Sequence, residues 1–577
     1  MKEWITYHYD FQIEKIVNRY GISEMLAEAL VNRGLFDWKS MDQYVFPDME
    51  CQHNFSEMKD GIETASILEE KIKEGKKIKI IGDYDVDGVM STYILYRGIE
   101  MLGGKATYRI PHRVCDGYGI RDYMVTEAKE EGCDTIITCD NGISAVDAVN
   151  KAKELGMTIL ITDHHEVPLD DGEEVLPPAD TVVDPKQKAC QYPYKNLCGA
   201  GIAYKLMRYL FQKNGIKNCE EELLPFAAAA TVCDVVPLLG ENRILVKNGL
   251  EYLKKTTNKG MRALIEAMEL SKEISSYDLG FRIGPCINAA GRLDDARRGV
   301  ELLLEQDEKA VVKKACELVE LNNERKNYTA KATEQAIAII ESGEMANDRV
   351  LVIYLKDCLE SVAGIVAGRI CEKYYRPAMI LTKGKKGVKG SARSIDGYHV
   401  QKELNRCKDL LLEYGGHAKA AGFSLLEENV DRFRKQLNEN CTLTDEDLIE
   451  KVYYDREVPL AEININTVLQ LNYMEPYGEE NRAAIFLREN VVITSVFLCG
   501  KEKQVGILRI KDGNRLYDGV DFQCEQHIGE AICERYGEKT WEDLKQGRNT
   551  GCKVDILYKP SINDRNGNVQ FQIEDCR

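Results

Sequence analysis

The stretch Ile81-Gly82-Asp83-Tyr84-Asp85-Val86-Asp87-Gly88 decides the fold of this chain. The β-branched run Ile78-Lys79-Ile80-Ile81 leads into it and predicts a buried strand, and a helical pattern follows from Val89. The three carboxylates are therefore expected on a loop at the carboxyl end of a strand, where open α/β sheets place their sites. Such aspartates repel one another unless a cation holds them, and oxygen ligands suit Mg²⁺, Mn²⁺ or Ca²⁺. On this segment alone, a solvated acidic loop is an equally good interpretation.

Composition narrows the class of protein. The chain has 577 residues, 44% of them hydrophobic, and a net charge of -18; roughly three or four domains are expected. The missing basic excess argues weakly against nucleic-acid binding, although a local basic channel can lie in an acidic protein. The 19 scattered cysteines include no C-x-x-C pair and indicate buried thiols in a reducing cytoplasm. With neither an apolar signal core at the N-terminus nor an apolar run of ~18 residues, we expect a cytoplasmic protein without a membrane span.

Alternation of strand and helix patterns dominates the first half of the chain. Residues 1–70 look helical and amphipathic, and we interpret them as a layer that covers an edge of the next domain. Strands are expected at 77–82, 106–110, 134–139, 158–162 and 181–183, with helical patterns between them. This order predicts a parallel sheet covered on both faces. The sequence has no phosphate-binding G-x-x-x-x-G-K-S/T loop, which disfavours a nucleotide-hydrolysing motor.

Polar clusters follow three of these strands and one helix. They are the aspartate loop, Cys139-Asp140-Asn141-Gly142, Asp163-His164-His165-Glu166, and Asp234 at the end of an alanine-rich helical stretch. Each could be a helix or turn cap. Their convergence on one sheet edge instead indicates a polynuclear metal site. Many carboxylates with about one imidazole favour Mn²⁺ or Mg²⁺, and two such ions ~3.5–4 Å apart serve phosphoryl chemistry.

Several longer segments resemble the DHH phosphoesterase superfamily, which is named for the Asp163-His164-His165 motif. The resemblance is closer still to its RecJ branch of single-strand-specific exonucleases, and it extends over essentially the whole chain. The segments that carry it are Asn32-Arg33-Gly34, Gly82–Gly88, Pro111-His112-Arg113, Gly117-Tyr118-Gly119, Asp184-Pro185-Lys186, Cys198-Gly199-Ala200-Gly201, Asp234-Val235-Val236-Pro237-Leu238 and Asn288-Ala289-Ala290-Gly291-Arg292-Leu293.

The resemblance implies roles for individual residues. The implied metal ligands are Asp83, Asp85, Asp87, Asp140, His164 and Asp234. Asp140 would bridge two ions, either Mn²⁺ or Mg²⁺. His165 would contact the phosphate and not a metal. Asp85, Asp140, His164, His165 and Asp234 together would form the catalytic group.

A long helical pattern over residues 305–343 is expected to connect this domain to a second α/β unit. That unit contains the most basic local stretch, Lys383–Ser394, and the glycine-rich Gly415-Gly416-His417-Ala418-Lys419. Both resemble the DHH-associated domain. By that resemblance Arg113, Arg292, Ser391 and Arg393 hold a 5′-terminal phosphate, with His417 on the substrate side. Bidentate arginine contacts favour such a dianion over a diester.

Alternating patterns from about residue 452 predict a small barrel of about five strands, and Asp564-Arg565-Asn566-Gly567-Asn568 indicates a hairpin turn. By resemblance this is an OB-fold that binds single strands. Its candidate stacking aromatics, which could equally be core residues, are Tyr473, Tyr477, Phe486 and Tyr517. Cys286, where relatives usually carry Arg, and an altered 474–482 segment depart from the family pattern and could weaken DNA contacts.

We therefore expect an α/β protein: a parallel-sheet DHH domain and a second α/β DHH-associated domain joined by a long helix, with a C-terminal OB-fold β-barrel. The expected parts are 1–70, 71–300, 301–345, 346–450 and 451–577. The implied activity is a Mn²⁺- or Mg²⁺-dependent, two-metal 5′-to-3′ exonuclease on single-stranded DNA that releases 5′-mononucleotides in DNA repair and recombination.

The expected enzyme is a monomer, and a single-strand-binding protein or helicase is a conceivable partner. Two alternatives stay open: a DHH phosphodiesterase that acts on cyclic dinucleotides or very short oligonucleotides, and a non-catalytic scaffold.

Overall fold

The computed structural model describes residues 2–9, 11–271, 273–384, 387–500, 503–563 and 566–577. These residues form two compact units. The large unit comprises residues 48–450, and the barrel unit comprises residues 1–47 together with 451–577.

The described strands are short except in the barrel unit. They are β1 Glu3–Thr6, β2 Lys77–Ile81, β3 Lys105–Arg109, β4 Thr135–Cys139, β5 Thr158–Thr162, β6 Leu169–Asp170, β7 Glu173–Glu174, β8 Thr181–Val183, β9 Leu351–Tyr354, β10 Ala378–Gly384, β11 Gly387–Arg393, β12 Leu411–Gly416, β13 Ala420–Leu425, β14 Lys451–Tyr454, β15 Arg456–Glu457, β16 Phe486–Cys499, β17 Val505–Asp512, β18 Arg515–Asp521, β19 Lys553–Ile562 and β20 Val569–Cys576.

The α-helices lie mostly in the large unit. They are α1 Ile13–Tyr20, α2 Glu24–Val31, α3 Trp38–Val45, α4 Gly61–Lys73, α5 Val86–Met101, α6 Asp122–Glu130, α7 Val146–Glu154, α8 Gly199–Asn214, α9 Cys219–Cys233, α10 Gly240–Leu253, α11 Lys259–Ala267, α12 Ser276–Asp278, α13 Gly284–Leu293, α14 Arg297–Leu304, α15 Glu308–Ile339, α16 Glu360–Tyr374, α17 Val400–Arg406, α18 Val430–Asn440, α19 Ile465–Leu471, α20 Glu530–Tyr536 and α21 Glu538–Lys545.

A five-stranded parallel sheet organises the first part of the large unit, in the order β3-β2-β4-β5-β8. Alternate strand residues enter two separate cores: Ile80 and Ile137 pack with α5, α8 and α9, whereas Ile136 and Ile159 pack with α6 and α7. Side chains alternate across a strand, so this division requires helices on both faces. The predicted doubly covered parallel sheet is confirmed, with strand bounds within a residue of those expected.

The long helix α15 packs against α11 and α13 at its first half and against α16 further on. Beyond it lies a second sheet, in the order β12-β13-β11-β10-β9, of which only β9 and β10 run parallel. The expected connector helix and second α/β unit are both present. The glycine-rich Gly415–Phe423 segment forms most of the β12–β13 hairpin.

The barrel closes because β16 pairs with β17 on one side and with β19 on the other, through the order β16-β17-β18-β20-β19. Four of these strands were expected from the alternating patterns, and β18 was not. Phe486 is fully buried in the barrel and Tyr517 packs edge-on against Phe571, so core packing, not stacking on DNA, explains these two aromatics. Tyr473 keeps 56% of its surface exposed. Asp564 and Arg565 of the expected hairpin turn lie outside the described residues.

The N-terminal segment differs from the expectation that it covers an edge of the parallel-sheet domain. Residues 1–47 belong to the barrel unit, whereas α4, which contains residues 61–70 of the same expected segment, packs with β2 and with the edge strand β8 of the parallel sheet. Strand β1 pairs in parallel with β14, and Trp4 donates its indole N–H to Asp575 at 2.7 Å. Arg33 forms an ion pair with Asp455 at 3.1 Å. These partners are distant in sequence, so an amphipathic pattern alone could not identify them.

Among the described helices, none combines the length and apolar character that a bilayer span requires. The cysteines are free thiols, and most are buried, which agrees with the expectation drawn from their scattered spacing.

Candidate active site

The aspartate loop connects β2 to α5. Asp85 is the N-cap of α5, and its side chain accepts a hydrogen bond from the Gly88 N–H at 3.1 Å. A Cβ at Gly88 would lie 2.4 Å from the Asp83 carbonyl oxygen, so only glycine lets the helix begin this close to the loop. Asp83 is buried, and its Oδ1 has no hydrogen-bond partner among the described residues. An orphaned buried carboxylate oxygen indicates a missing cationic partner.

Asp140 follows β4 directly and adopts a left-handed backbone with φ 60°. The next residue fixes this turn, because Asn141 donates its side-chain amide to the Ile81 and Cys139 carbonyls at 3.0 and 2.9 Å. The Asp140 loop is thereby tied to the end of β2. A left-handed non-glycine residue stores backbone strain, which occurs preferentially at functional sites.

The two histidines follow β5 and have different environments. His164 Nε2 lies 3.0 Å from Asp140, 3.5 Å from Asp87 and 3.7 Å from Asp234. Burial, followed by the charge of His165, lowers the pKa of His164 to about 3. A neutral, oriented imidazole that faces three carboxylates is a suitable metal ligand.

Asp87 lies in the first turn of α5 and is held by the N-terminus of α8. Its carboxylate accepts the backbone N–H groups of Gly199 at 2.6 Å and Ala200 at 2.7 Å. Burial and the charge of Asp85 nevertheless raise the pKa of Asp87 to about 6. A Cβ at Gly199 would lie 2.7 Å from Asp140 Cβ. The start of α8 is therefore packed so closely against Asp87 and Asp140 that it leaves no space for a side chain at position 199.

Asp234 caps the C-terminus of α9, an element that the sheet pattern does not include. Burial and the charges of Asp87 and Asp85 raise its pKa well above the usual range. The following residue, Val235, has φ 58° and a side chain that is 63% exposed. A β-branched residue in the left-handed region is strained, and here the strain lies next to a candidate ligand.

These side chains form three overlapping groups, in each of which all candidate ligand atoms lie within 4.8 Å of one another. The groups are Asp83, Asp85 and Asp140; Asp87, His164 and Asp234; and Asp140, His164 and His165. Burial and mutual repulsion also raise the pKa of Asp140 and Asp83 well above the usual range. Concentrated, buried carboxylates with one neutral imidazole are oxygen-rich and thiolate-free, which fits Mn²⁺ or Mg²⁺. The sequence prediction that Asp85, Asp140, His164 and Asp234 gather at one sheet edge agrees with this geometry.

An arginine cluster adjoins the aspartate loop. The Arg113 guanidinium stacks on the Tyr84 ring at 3.9 Å from its centroid, and a Cβ at Gly291 would lie 2.5 Å from the Tyr84 carbonyl oxygen. Arg292 follows and donates to the Ser361 carbonyl at 2.7 Å. Burial, followed by the charges of Arg113, Arg325 and Arg393, lowers the pKa of Arg292 to about 9. Crowded, half-buried arginines of this kind favour a bound anion.

Ser391 and Arg393 lie on the same face of β11, because Ala392 between them is buried in the core. Gly364 of α16 lies against both: its Cβ would be 3.4 Å from Arg393 Nη2 and 3.7 Å from Ser391 Oγ. His417 is exposed at the β12–β13 turn, where Ala420 pairs with Arg393. Lys385 and Lys386 of the basic stretch lie outside the described residues. Cys286 is buried and accepts a hydrogen bond from Asn322 at 3.1 Å.

Several residues of this centre are missing from the sequence-based set. Tyr118 donates its hydroxyl to the Asp140 carbonyl at 2.9 Å and lies 3.0 Å from His165 Nδ1. Asp163 accepts from the Ile143 N–H and from His165 at 2.9 and 2.8 Å. Both lie inside motifs quoted above, so their positions were visible in the sequence but their supporting roles were not.

Comparison with known proteins agrees with this architecture. Residues 77–231 match the DHH family, N-terminal domain, residues 347–442 match the DHHA1 domain, and residues 454–575 match the RecJ OB domain. Fold and site thus place the protein in the DHH class. The single-stranded-DNA-specific exonuclease RecJ of Bacillus subtilis (strain 168) is 34% identical over 97% of this chain and 69% of its own length. For RecJ of Escherichia coli (strain K12) the identity is 33%, over 89% of each chain. The chain belongs to the RecJ family.

Comparison with solved structures also finds RecJ proteins. The crystal structure of RecJ in complex with Mn²⁺ from Thermus thermophilus superimposes with a TM-score of 0.81 at 26% identity. The match covers 100% of this chain and 79% of that one. A complex of RecJ with Mg²⁺ from the same source gives a TM-score of 0.75 at 25% identity.

Proposed function

We propose that this protein is a Mn²⁺- or Mg²⁺-dependent exonuclease that degrades single-stranded DNA from the 5′ end and releases 5′-mononucleotides in DNA repair and recombination. The observation that carries the proposal is the convergence of largely buried carboxylates and a neutral imidazole beside a crowded cluster of half-buried arginines. Family membership supplies the substrate class, since its relatives are named single-stranded-DNA-specific exonucleases.

Two cations would be held by the first two of the three overlapping groups, and Asp140 of the first group lies 3.0 Å from His164 of the second. When bound, such a pair stabilises charge on the phosphate and supplies a nucleophile from water at neutral pH. The described atoms support this assignment, because Asp83 Oδ1 is unpartnered and the carboxylates are otherwise too crowded to ionise together.

His165 would donate a hydrogen bond to the substrate phosphate. Burial by itself would lower its pKa, but the hydrogen bond and charge of Asp163 outweigh burial and raise it to about 9. The ring therefore carries a proton at neutral pH and is oriented by Asp163 at 2.8 Å. A fixed cationic donor beside Asp140 would stabilise negative charge on a phosphate oxygen.

The arginine cluster would select the DNA end. A terminal phosphate is a dianion, and Arg113, Arg292 and Arg393 with Ser391 would hold it better than they would an internal diester. The cluster adjoins Tyr84, between two of the candidate metal ligands. An end held there places the first internal phosphodiester at the metals, which accounts for release of single nucleotides. The barrel unit would bind single-stranded DNA, as OB-folds do.

The test is digestion of 5′-phosphorylated single-stranded DNA, labelled at either the 5′ or the 3′ end, in Mn²⁺. We expect the first labelled product from the 5′-labelled strand to be a mononucleotide. The 3′ label is expected to remain in long fragments early in the reaction. Asp140→Ala removes the carboxylate shared by two ligand groups, so turnover should fall at least a thousandfold while strand binding is largely retained.

Asp147→Asn, on the exposed surface of α7, is the matched control and should digest at the wild-type rate. A mononucleotide released first from the 3′ end would contradict the polarity. Activity of Asp140→Ala in saturating Mn²⁺ would contradict the site assignment. A monomeric state, a cytoplasmic location and contact with a single-strand-binding protein or helicase stay predictions.

A further inference from the structure

Tyr277 and Phe281 form a stacked pair of exposed aromatic rings in the large unit. Their centroids are 4.9 Å apart and their planes differ by 23°. Tyr277 is 63% exposed and Phe281 is 69% exposed, whereas Leu279 and Ile283 of the same turn are buried. Leaving two adjacent large aromatic side chains exposed to water costs free energy, and exposed apolar patches mark interaction sites.

The segment that presents the rings is held in place. Ser275 and Asp278 form a reciprocal capping box at the start of α12. Residues Leu279–Ile283 then form a π-helical turn that leads directly into α13. Such turns occur frequently at functional sites. Arg282 of this turn forms an ion pair with Asp278 at 3.3 Å, so the charges of these two side chains offset each other.

This turn packs against the end of α9, which terminates at Asp234. A Cβ at Gly280 would lie 3.3 Å from Val232, and one at Gly284 would lie 2.4 Å from Cys233 Sγ. Cys233 also hydrogen-bonds to the Leu279 carbonyl at 3.4 Å. The glycines thus allow the aromatic turn to approach the residues immediately before Asp234.

The same helical run reaches the arginine cluster at its other end. From Phe281 to Arg292 it extends eleven residues, or roughly 16 Å at helical rise. Gly291 lies against the Tyr84 carbonyl at that end, and Cys233 lies against Gly284 near the other. The helical run that carries the rings therefore contacts the residues just before Asp234 at Gly280 and Gly284, and the aspartate loop at Gly291.

We propose that Tyr277 and Phe281 are a base-binding platform that holds an unpaired base of the DNA strand beside Asp234. The proposal rests on the proposed function and identifies a substrate contact of the same site. Aromatic faces bind any base by stacking and need no net positive charge, which suits a chain with a net charge of -18. A base in a duplex has both faces covered, so the platform also discriminates against double strands.

The first test uses the wild-type protein and varies the DNA. A set of 5′-phosphorylated single strands carries one abasic residue, moved one position at a time from the 5′ end, and release of the first nucleotide is timed in a single turnover. We expect one or two neighbouring positions at which loss of the base slows release about tenfold. A flat profile would overturn the platform without any variant.

The second test pairs that profile with changes in the protein. Tyr277→Ala with Phe281→Ala should slow release from intact DNA about tenfold and abolish the further effect of the abasic residue. Tyr277→Phe with Phe281→Trp should restore both the rate and the abasic sensitivity, because the ring faces remain. Tyr123→Ala removes an exposed ring of α6, which covers the other face of the parallel sheet from α9, and should leave the profile unchanged.

The outcomes separate the two proposals. If the wild-type protein does not degrade single-stranded DNA, the proposed function fails. If it degrades DNA with an abasic-sensitive position that persists in the double alanine variant, only the platform fails. Failure of the Phe/Trp variant to restore a rate lost in the alanine variant would likewise overturn stacking as the cause.

Discussion

At the scale of single residues, Gly199 illustrates how little space the metal site leaves. Its N–H group donates to Asp87, and its missing Cβ leaves room for Asp140. A methyl group there would lie 2.9 Å from Asp140 Cα and 3.0 Å from Asp87 Oδ2. Asp140 cannot retreat freely, since its left-handed turn is tied to β2 through Asn141. Gly199 therefore aligns Asp87 and Asp140 through its N–H group and through the absence of a side chain.

We predict that Gly199→Ala weakens Mn²⁺ binding at least tenfold and lowers exonuclease activity by a similar factor or more. The added methyl must displace Asp87 or Asp140, and a displaced ligand loses favourable coordination geometry. The measurement is the Mn²⁺ concentration that gives half-maximal activity, together with direct calorimetric titration of Mn²⁺.

Gly201→Ala is the matched control on the same turn. Its Cβ would meet only Leu197 and Cys198 atoms at 3.5 Å or more, which is ordinary contact. It should bind Mn²⁺ as the wild-type protein does. Equal Mn²⁺ affinities in the two variants would show that the tight packing at Gly199 does not position the ligands.

At the scale of elements, the strands of the parallel sheet could be predicted because each is a short apolar run that ends in a polar cluster. Residues 77–81 and 135–139 are examples. Because these two strands are parallel neighbours, their carboxyl ends lie side by side at the same edge of the sheet. Asp234 ends a helix, so the strand pattern by itself does not place it at this edge, and its inclusion depended on treating its cluster together with the other three. The partner of residues 1–47 could not be predicted from their pattern. Strand β1 pairs with β14 and Arg33 pairs with Asp455, and both partners lie more than 400 residues later in the chain.

The ion pair that ties this segment to the barrel gives a prediction. Asp455 and Arg33 side chains are only 5% and 7% exposed, and Asp455 also accepts from Asn32 and from the Ile485 N–H, both at 3.0 Å. Asp455→Ala removes the anionic partner of Arg33, whose guanidinium keeps only backbone carbonyl acceptors such as that of Arg482, and it leaves the Ile485 N–H without its acceptor. We expect it to destabilise the barrel unit by roughly 3 kcal/mol.

Tryptophan fluorescence can isolate this effect, because all three tryptophans, Trp4, Trp38 and Trp541, belong to the barrel unit. Urea unfolding followed at these residues should show an earlier midpoint for Asp455→Ala. Arg19→Ala breaks an ion pair with Asp42 whose side chains are 45% and 44% exposed, so it should change the free energy of unfolding by at most about 1 kcal/mol. Similar midpoints for the two variants would refute the importance of the buried pair.

At the scale of the whole molecule, the chain has an excess of acidic residues, and a few of them form the candidate metal site. Buried carboxylates from the β2, β4 and α9 ends gather where metal ions are expected, and arginines gather beside them. The overall charge gave no sign of a DNA-degrading enzyme, because the bulk of the acidic residues lies elsewhere on the surface. Motif spacing was more informative than composition for this reason.

The gathered carboxylates make stability depend on both pH and metal. Without metal, burial and the charge of Asp85 raise the pKa of Asp87 from 3.8 to about 6, and burial with neighbouring charges raises that of Asp140 and Asp234 further. A folded state with raised carboxyl pKa values retains protons that the unfolded chain releases. This contribution to stability is complete below about pH 3.8 and is lost as the pH rises through 6 and above.

We therefore predict that Mn²⁺ raises the unfolding temperature of the large unit by several degrees more at pH 8 than at pH 5, relative to EDTA. At pH 5 protons still neutralise part of the cluster and compete with the ions, whereas at pH 8 the metal alone can do so, and binding stabilises the native state by mass action. Circular dichroism reports on the helix-rich large unit, and tryptophan fluorescence in the same sample reports on the barrel unit as an internal control. The fluorescence transition should not respond to Mn²⁺ at either pH. A shift of equal size at both pH values would contradict the raised pKa values, and a shift confined to the fluorescence transition would place the metal outside the large unit.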